Sequence, residues 1–430
     1  MKKTYYIYLT VLVLIVVTLI LIIHLQKIVP NTTYYYSSYN QYSNNGNDNN
    51  IVTGAEMTLL SHVILAKNIN GVGFDTTPIV SGDIIYVGVM NQSNTTGALY
   101  AIKRSNFKVL WHDQLPNWVM TNPVVVPTQD MVYVGTGNSI KYDLKNKAVL
   151  YRGLGPNAMY GINLETGKIM WKYSTPGEDM PTPVYKNGII YFANGNKKFY
   201  ALSASSGKLL WSINLGSIVS MSSAVLVHNN IYFGSASPYT FFDINIKTKK
   251  IQWKDNFPNI TGALDDTTPT YSAGYIYTNA THLTNNKADV GNEYLYKINA
   301  NTGQIIWTIN EGNGLINLPS DPMEGSVSTI IRNTLYTSSN TVRDIFAVNI
   351  NTKKILWRYH VNSMINAPFI INNKLVYAVT TAGNIYVLKS NNGSFIAKRT
   401  LGGNEIASGL SFYNGIFYAI TGNGNIYSFN

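Results

Sequence analysis

Short stretches of alternating apolar and polar residues recur along the chain, and most of them end on a tryptophan. Two of these stretches read YGINLETGKIMW from Tyr160 and YKINANTGQIIW from Tyr296. Alternation with a period of two predicts β-strands, and the central Thr-Gly predicts the tight turn that joins two of them. The stretches end at Trp111, Trp171, Trp211, Trp253, Trp307 and Trp357. The chain therefore repeats one small antiparallel unit.

Eight such units can be counted from their first strands, which are short, rich in small residues and often contain proline. These strands begin at Thr76, Thr121, Pro181, Ser222, Thr267, Gly325, Asn366 and Ala407. A second strand with a central tyrosine follows, and the repeated stretch supplies strands three and four, with Ala397 at the tryptophan position of unit seven. The tryptophan intervals of 60, 40, 42, 54 and 50 residues fit four-stranded propeller blades. Loops such as Tyr142 to Ala158 and Thr281 to Asn292 are expected to take up the excess length.

The eighth unit ends after its third strand. The segment His62 to Asn68, HVILAKN, precedes the first unit and has no other partner, so it is expected to supply the missing strand. A ring closed in this way leaves no open sheet edge between its two ends. The prediction is an all-β, eight-bladed β-propeller of four-stranded blades.

The repeated stretch resembles a known repeat. Its A-x-(D/N)-x-x-T-G-(K/E)-x-x-W ending is similar to that of the pyrroloquinoline-quinone-like (quinoprotein-type) eight-bladed propellers, over residues 56 to 430. The resemblance implies that each tryptophan wedges between neighbouring blades, burying on the order of 200 Å². All six repeated tryptophans are therefore expected to be structural. Trp118 lies outside the repeat.

The N-terminus carries a different pattern. Tyr5 to Ile23 is an uncharged run of 19 residues, long enough at about 28 Å to cross a bilayer, and Lys2 and Lys3 precede it. We expect residues 1–28 to be a single-pass signal-anchor, 29–55 a flexible Asn/Ser/Tyr-rich spacer, and 56–430 a propeller on the extracytoplasmic side of the cell membrane. A cleaved signal peptide is the alternative, although no small-residue cleavage site follows.

The charge content is low. Asp and Glu number 21 against 32 Lys and Arg, for a net charge of +11, and charged residues make up 12% of the chain. The basic residues are dispersed, which argues against a nucleic-acid partner. Carboxylates with depressed pKa values lose their stabilising contribution in acid, so having few of them suits an acid-exposed protein. A low-charge or glycosylated surface is the alternative; candidate glycosylation sites are Asn31, Asn91, Asn94, Asn259, Asn279 and Asn392.

Familiar catalytic motifs are absent from the sequence. Quinone-dependent dehydrogenases of the resembled family use an adjacent cysteine pair, a bound Ca²⁺ and a catalytic Asp, but this chain has no cysteine. A quinone cofactor is therefore disfavoured and no cofactor is expected, although acidic side chains leave room for Ca²⁺. No dedicated metal site is predicted, because the six histidines fall in different units and form no ligand pair: His24, His62, His112, His228, His282 and His360.

One constellation of side chains remains as a candidate site. Propeller ligands gather where first strands begin. When the eight units are aligned, the position three residues before the proline of the TTP stretch is occupied in turn by Asp75, Met120, Met180, Met221, Asp266, Gly325, Ile365 and Ile406. Other acids lie close by in sequence: Asp265, Asp321, Glu324, Glu178 and Asp179. Together they predict an acidic, Met-lined funnel with Asp75, Asp266 and Glu324 as candidate catalytic groups. Alternatively, each Asp caps a turn.

Three functions fit these features. The first is a membrane-anchored binding or scaffold module for an envelope partner or small ligand, similar to the eight-bladed lipoprotein of the bacterial outer-membrane assembly machine. The second is a cofactor-free hydrolase using carboxylates at the channel mouth, since tetrathionate hydrolases of acidophiles resemble this fold. The third, a quinoprotein dehydrogenase, is disfavoured. The absence of catalytic motifs favours the non-enzymatic function, and the sequence leaves the oligomeric state open.

Overall fold

The computed structural model describes residues 63–69, 76–91, 96–138, 141–143, 149–257, 259–284, 290–315, 317–318, 321–322, 325–371, 374–401 and 409–430. The predicted anchor, 1–28, and spacer, 29–55, lie outside the described residues. Across the described ranges, no helix has both the length and the apolar character needed to cross a membrane.

The chain forms eight four-stranded antiparallel sheets. Strand β1 (Val63–Asn68) precedes them. Blade 1 comprises β2 (Ile79–Ser81), β3 (Ile84–Asn91), β4 (Thr96–Lys103) and β5 (Val109–Leu115), and blade 2 comprises β6 (Val124–Val126), β7 (Met131–Gly135), β10 (Ala158–Asn163) and β11 (Ile169–Ser174), with the inserted pair β8 (Lys141–Asp143) and β9 (Val149–Arg152). Blade 3 comprises β12 (Val184–Lys186), β13 (Ile189–Ala193), β14 (Lys198–Ser203) and β15 (Leu209–Asn214). Blade 4 comprises β16 (Val225–Val227), β17 (Asn230–Ser235), β18 (Thr240–Asn245) and β19 (Lys250–Asn256). A 3-10 turn, Pro127–Gln129, links β6 to β7.

The second half of the ring repeats the arrangement. Blade 5 comprises β20 (Thr270–Ser272), β21 (Tyr275–Leu283), β22 (Val290–Asn299) and β23 (Ile305–Leu315), and is followed by the small pair β24 (Asn317–Leu318) and β25 (Asp321–Pro322). Blade 6 comprises β26 (Thr329–Ile331), β27 (Thr334–Ser339), β28 (Asp344–Asn349) and β29 (Lys354–His360), and blade 7 comprises β30 (Ile370–Ile371), β31 (Leu375–Val379), β32 (Asn384–Lys389) and β33 (Phe395–Thr400). Blade 8 contains β34 (Ser411–Tyr413), β35 (Ile416–Ile420) and β36 (Asn425–Phe429). The predicted eight-bladed architecture is confirmed.

Strand β1 closes the ring as predicted. It pairs antiparallel with β36, from Val63 opposite Phe429 to Asn68 opposite Asn425, and becomes the outer strand of blade 8. His62, the first residue of the predicted closing segment, lies outside the described residues. The two ends of the propeller are thus joined by main-chain hydrogen bonds.

The repeated tryptophans lie at the seams between blades. The Trp357 ring is nearly buried, and its Nε1 donates a hydrogen bond to the Ser390 carbonyl of the next blade at 3.0 Å. A Cβ built on Gly393 would come within 2.5 Å of that ring, so glycine is required where the turn crosses it. Trp171 and Gly207 repeat this contact between blades 2 and 3. Ala397 occupies the equivalent strand position in blade 7, opposite Val387.

A bulge precedes the tryptophan in blades 1 to 6, and the same bulge precedes Ala397 in blade 7. In blade 2, for example, Gly161 pairs with Trp171 and Ile162 with Ile169, which leaves Met170 without a partner residue. Bulges twist an outer strand and discourage edge-to-edge pairing. The bulged residue points outward, and Met170 is 55% exposed. The result is a belt of exposed apolar side chains around the rim: Leu110, Met170, Leu210, Ile306 and Leu356.

Two predicted loops contain strand residues. The segment Tyr142 to Ala158 contains most of the β8–β9 pair, and Thr281 to Asn292 is entered from both sides by β21 and β22, which pair as far as Leu283 opposite Gly291. The loop predictions were wrong for these parts because they were based on excess length. Length alone does not distinguish an irregular loop from strands that extend beyond the average blade.

The candidate glycosylation sites separate by exposure. Asn91, Asn259 and Asn392 are exposed. Asn279 is completely buried and its amide donates to both carboxylate oxygens of Glu311, at 2.9 and 3.0 Å. A glycan on Asn279 is therefore incompatible with the folded state, which corrects the sequence prediction. Asn31 and Asn94 lie outside the described residues.

Candidate functional site

Small polar residues link the beginnings of the inner strands into a belt. The Thr77 N–H donates to Asn122 Oδ1 at 2.8 Å, Asn122 Nδ2 donates to Thr182 Oγ1 at 3.1 Å, and the Thr182 N–H donates to Ser223 Oγ at 2.9 Å. At the closing seam, the Gly409 N–H donates to Thr77 Oγ1 at 2.8 Å. The small residues that mark each unit in the sequence thus hold neighbouring blades together at one face of the ring, termed the mouth.

Three successive connections into inner strands bring polar side chains together at the mouth. They precede β12, β16 and β20 and carry Glu178, Ser220 and Asp265. The Met221 and Ser222 N–H groups donate to the Asp265 carbonyl at 2.9 and 2.6 Å, which ties the second connection to the third. Arg152, Glu178, Ser220, Asp265 and Asp266 are called the mouth cluster below.

Arg152 reaches Glu178 from the end of the inserted strand β9. Its Nε lies 2.9 Å from Glu178 Oε1, and the Glu178 N–H donates to the Arg152 carbonyl at 2.8 Å. Glu178 is completely buried, whereas the Arg152 side chain is 15% exposed. Gly153, with φ +94°, allows this approach, because a Cβ there would lie 2.4 Å from the Glu178 nitrogen. Of the pair, only the Arg152 side chain is therefore partly accessible to solvent.

Burial favours the protonated form of the Glu178 carboxyl. Burial raises its pKa to about 8, which outweighs the opposing effects of Arg152 and the Ser220 hydroxyl; the charges of Asp265 and Asp179 add to the rise. Below that pH the site presents a neutral carboxylic acid beside a permanent cation. Such a pair combines a proton donor with an anion-binding group.

Asp179 has a structural role. Its carboxylate accepts hydrogen bonds from Thr175 Oγ1 at 2.5 Å and Asn194 Nδ2 at 2.6 Å, and its carbonyl accepts one from Thr121 Oγ1 at 2.7 Å. Burial raises its pKa to about 8, against the effect of the Thr175 and Asn194 bonds. With both oxygens bound inside the protein, Asp179 fixes the connection that carries Glu178.

Asp265 and Asp266 lie in a turn before β20. The Asp266 and Thr267 N–H groups both donate to the Ala263 carbonyl, at 3.1 and 2.9 Å, so the main chain turns here. Asp265 is buried and Asp266 is partly exposed. Burial raises the pKa of Tyr239, and the charges of Asp265 and Asp266 raise it further. Its hydroxyl donates a hydrogen bond to the Thr261 carbonyl at 2.8 Å.

The structure brings together part of the predicted funnel. Met221 and Asp265 are adjacent through a main-chain hydrogen bond, Met180 is buried, and Met120 is partly exposed. The backbone of Asp321 is described in β25, but its side chain is not. Asp75 and Glu324 lie outside the described residues, so the catalytic roles suggested for them remain predictions.

Sequence reasoning missed three members of this neighbourhood: Arg152, Ser220 and Tyr239. Arg152 lies in an insertion that interrupts the repeat, and an arginine in an insertion was the available signal. Ser220 and Tyr239 carry no such signal, because serine and tyrosine are abundant throughout the chain.

Known proteins share the propeller fold described above. The model of a PQQ-like repeat family, described as outer membrane protein assembly factor BamB, matches residues 58–262 and 291–396. The chain belongs to this family. Solved structures agree with the fold: BamB from Moraxella catarrhalis, 13% identical, covers 86% of this chain and 99% of its own length with a TM-score of 0.61.

Two further relatives carry enzymatic names. The quinohemoprotein alcohol dehydrogenase of Comamonas testosteroni superimposes with a TM-score of 0.63 at 13% identity, over 91% of this chain and 79% of its own. The tetrathionate hydrolase of Acidithiobacillus ferrooxidans is 28% identical over 340 residues, which is 75% of this chain and 66% of that enzyme. The chain thus matches just under two thirds of that relative's length.

Proposed function

We propose that this chain hydrolyses tetrathionate or a closely related polythionate, in an acidic medium. One observation carries the proposal: 28% identity to a tetrathionate hydrolase extends over three quarters of the chain, about twice the identity shared with propellers that resemble it in fold. The mouth cluster supports it, because a dianionic substrate requires a cation, and bond cleavage at a sulfur leaving group is helped by a proton donor.

The chemistry assigns a role to each group. Water attacks a terminal sulfonate sulfur of tetrathionate, the S–S bond breaks, and its electron pair leaves on the remaining fragment. The products are hydrogen sulfate and the disulfane monosulfonate HS–S–SO₃⁻ (HS₃O₃⁻), which separates into thiosulfate, sulfur and a proton. Arg152, which is partly exposed, binds a sulfonate; the buried Glu178 beside it is the source of the proton that the leaving sulfur takes up; and Asp265 or Asp266 accepts the proton of water.

The proposal involves no quinone. Among the described residues, no group of three His, Asp or Glu side chains could hold a metal ion, and the sequence has no cysteine. The described residues therefore do not provide the cysteine pair and Ca²⁺ site that the family resemblance implied. The chemistry above therefore uses the chain's own acids and arginine.

The test is an activity assay on the full chain. Purified protein is incubated with tetrathionate at acid pH, and thiosulfate and sulfate are measured by ion chromatography. Glu178→Gln is expected to lower turnover by about 10²-fold or more, the usual contribution of general acid catalysis. Arg152→Met is expected to raise KM, and Asp266→Asn tests the base. Glu165→Gln, in an exposed turn, is the matched control. No product from the wild-type protein would refute the proposal.

A binding role is the second candidate, favoured by the family description and the exposed apolar belt. Leu110, Met170 and Leu210 are each about half exposed on the outer strands of blades 1 to 3. Exposed apolar side chains mark interaction surfaces when they are contiguous. In this reading residues 1–28 anchor the propeller outside the cell membrane and the belt contacts an envelope protein. Crosslinking of the propeller to a membrane or envelope partner near Met170, lost in Met170→Lys, would support the binding role. An intact crosslink in that variant would contradict binding through the exposed apolar side chains.

A further inference from the structure

Two glutamates are enclosed in blade 5 where it faces blade 6. Glu293 lies on β22 and Glu311 on the neighbouring strand β23, and both are completely buried. Glu293 pairs with Gly312 and Tyr294 with Asn310, so Glu311 occupies the bulge between them. The two carboxyl groups therefore arise from adjacent positions on neighbouring strands.

Glu293 ties three blades together. Its Oε2 accepts hydrogen bonds from Ser339 Oγ at 3.1 Å and from the N–H groups of Asn340 and Thr341 at 2.6 and 3.3 Å, all in blade 6. Asn340 in turn accepts the Ile365 N–H at 3.0 Å, in the connection that enters blade 7. The position of that connection thus depends on the contact between Glu293 and the 339–341 turn.

The remaining oxygens leave a place for a proton. Glu311 accepts the Asn279 amide through both of its oxygens. Glu293 Oε1 and Asn279 Oδ1 are buried and lack a hydrogen-bond partner among the described residues. A buried acceptor without a donor is costly, and a proton on one of the two carboxyl groups supplies a donor.

Few cations are placed to neutralise the pair. Arg358 donates from Nη1 to the Glu311 carbonyl at 2.6 Å, but it also lies 3.5 Å from Asp344, which holds His360 at 2.9 Å. Lys297, on the same strand as Glu293, donates instead to the Ile350 carbonyl at 3.3 Å. Among the described residues, the remaining charged or histidine side chains here are Arg343 in the blade 6 turn and His282 on β21, whose Nε2 contacts Tyr296. The tyrosines on β21 and β22 are Tyr275, Tyr277, Tyr294 and Tyr296.

We propose that Glu293 and Glu311 form a proton-loaded carboxyl pair that closes the seam between blades 5 and 6 in acid and loosens it as the pH rises. This device is independent of the hydrolase assignment. It would restrict the fully ordered propeller to acidic surroundings and would act through the 339–341 turn on one side of the mouth.

The direction of the pH effect follows from the titration of the pair. Burial raises the pKa of Glu293 to about 7, against the hydrogen bonds from Thr341, Asn340 and Ser339; burial and the charge of Glu293 raise the pKa of Glu311 well above its ordinary value. Groups with raised folded-state pKa values stabilise fully below the ordinary value, 4.5, and lose this contribution as the pH rises through the folded-state value.

The test compares thermal unfolding between pH 4 and pH 8. The wild-type Tm is expected to fall across this range, and Glu311→Gln, which keeps the shape and cannot ionise, is expected to make the fall smaller while leaving the Tm at pH 4 within a few degrees; the other buried carboxyls, Glu178 and Asp179, contribute equally to both profiles. Glu165→Gln, on the surface, should follow the wild type. A Glu311→Gln profile parallel to the wild-type profile would overturn the proposal.

A second measurement needs no variant. Hydrogen exchange at the Asn340 and Thr341 amides, corrected for its intrinsic pH dependence, is expected to accelerate above pH 7 relative to the Thr381 amide in the corresponding turn of blade 7. Equal protection in both turns would refute the device. Restoration of the wild-type Tm at pH 7 by millimolar Ca²⁺, absent in Glu311→Gln, would show that a cation balances the pair and would also overturn it.

Discussion

Replacing Gly393 by alanine tests the seam between blades 6 and 7. The new methyl group would lie 2.5 and 2.7 Å from the Cε3 and Cδ2 atoms of Trp357, and the residue has a φ of +69°. The left-handed conformation costs a non-glycine residue about 1–2 kcal/mol, and crowding a packed ring costs about 1–3 kcal/mol more. We therefore expect Gly393→Ala to lower the free energy of unfolding by about 2–5 kcal/mol.

A second glycine separates the two contributions. Gly188 has a φ of +78°, but a Cβ there meets nothing within 4 Å. Gly188→Ala should therefore cost about 1–2 kcal/mol, the conformational part alone. In a Trp357→Leu background, where the crowding is relieved, the cost of Gly393→Ala should fall to the same value.

The assay is guanidinium chloride unfolding followed by far-ultraviolet circular dichroism, since the loss of Trp357 would alter a fluorescence signal. The slope of the transition should be unchanged, so that the midpoints report stability. If Gly393→Ala costs no more than Gly188→Ala, or costs the same with and without Trp357, the wedge does not depend on this contact and the reasoning fails.

Two further outcomes are expected. Deleting residues up to 69 removes β1 and exposes the edge of β36, so size-exclusion chromatography should show association and the Tm should fall relative to a deletion of residues 1–55; equal behaviour of the two deletions would contradict the closure. In a host that glycosylates N-x-Ser/Thr sites, mass spectrometry should find glycan at Asn392 or Asn91 and none at Asn279; a glycan at Asn279 would show that its buried contact with Glu311 is wrong.

The repeat made the fold predictable. Each blade is encoded by residues close in sequence, and the contact of Trp357 with Gly393 recurs as Trp111 with Gly167, Trp171 with Gly207 and Trp253 with Gly303, so that one recognised unit predicts the others. The closing strand could be inferred because His62 to Asn68 had no partner of its own. The assignment of Thr281 to Asn292 as a loop was wrong in part, because β21 and β22 extend into this segment. The extension, which also buries Glu293, belongs to one blade only and could not be predicted from the other units.

The candidate site was less predictable for the same reason. Asp265 and Asp266 stand at a repeated position and could be found by aligning units. Arg152 comes from an insertion, and its approach to Glu178 depends on Gly153 and on the packing of a neighbouring blade. The carboxyl pair in blade 5 is formed by a bulge that places Glu311 opposite no residue. Such non-periodic, long-range contacts leave no pattern in a single sequence.

The pairing of β1 with β36 also sets the order in which the molecule can be completed. Val63 meets Phe429 across the whole length of the propeller, so the outer strand of blade 8 must wait, unpaired, until residues 425–429 have been synthesised. Blades 1 to 7 can form in succession as the chain emerges, because their strands are local. Bringing the two ends together costs conformational entropy that grows only slowly with the length of the intervening chain. Pairing of β1 therefore waits for the last strand of blade 8, whereas each earlier blade can be completed from strands that follow one another in the chain.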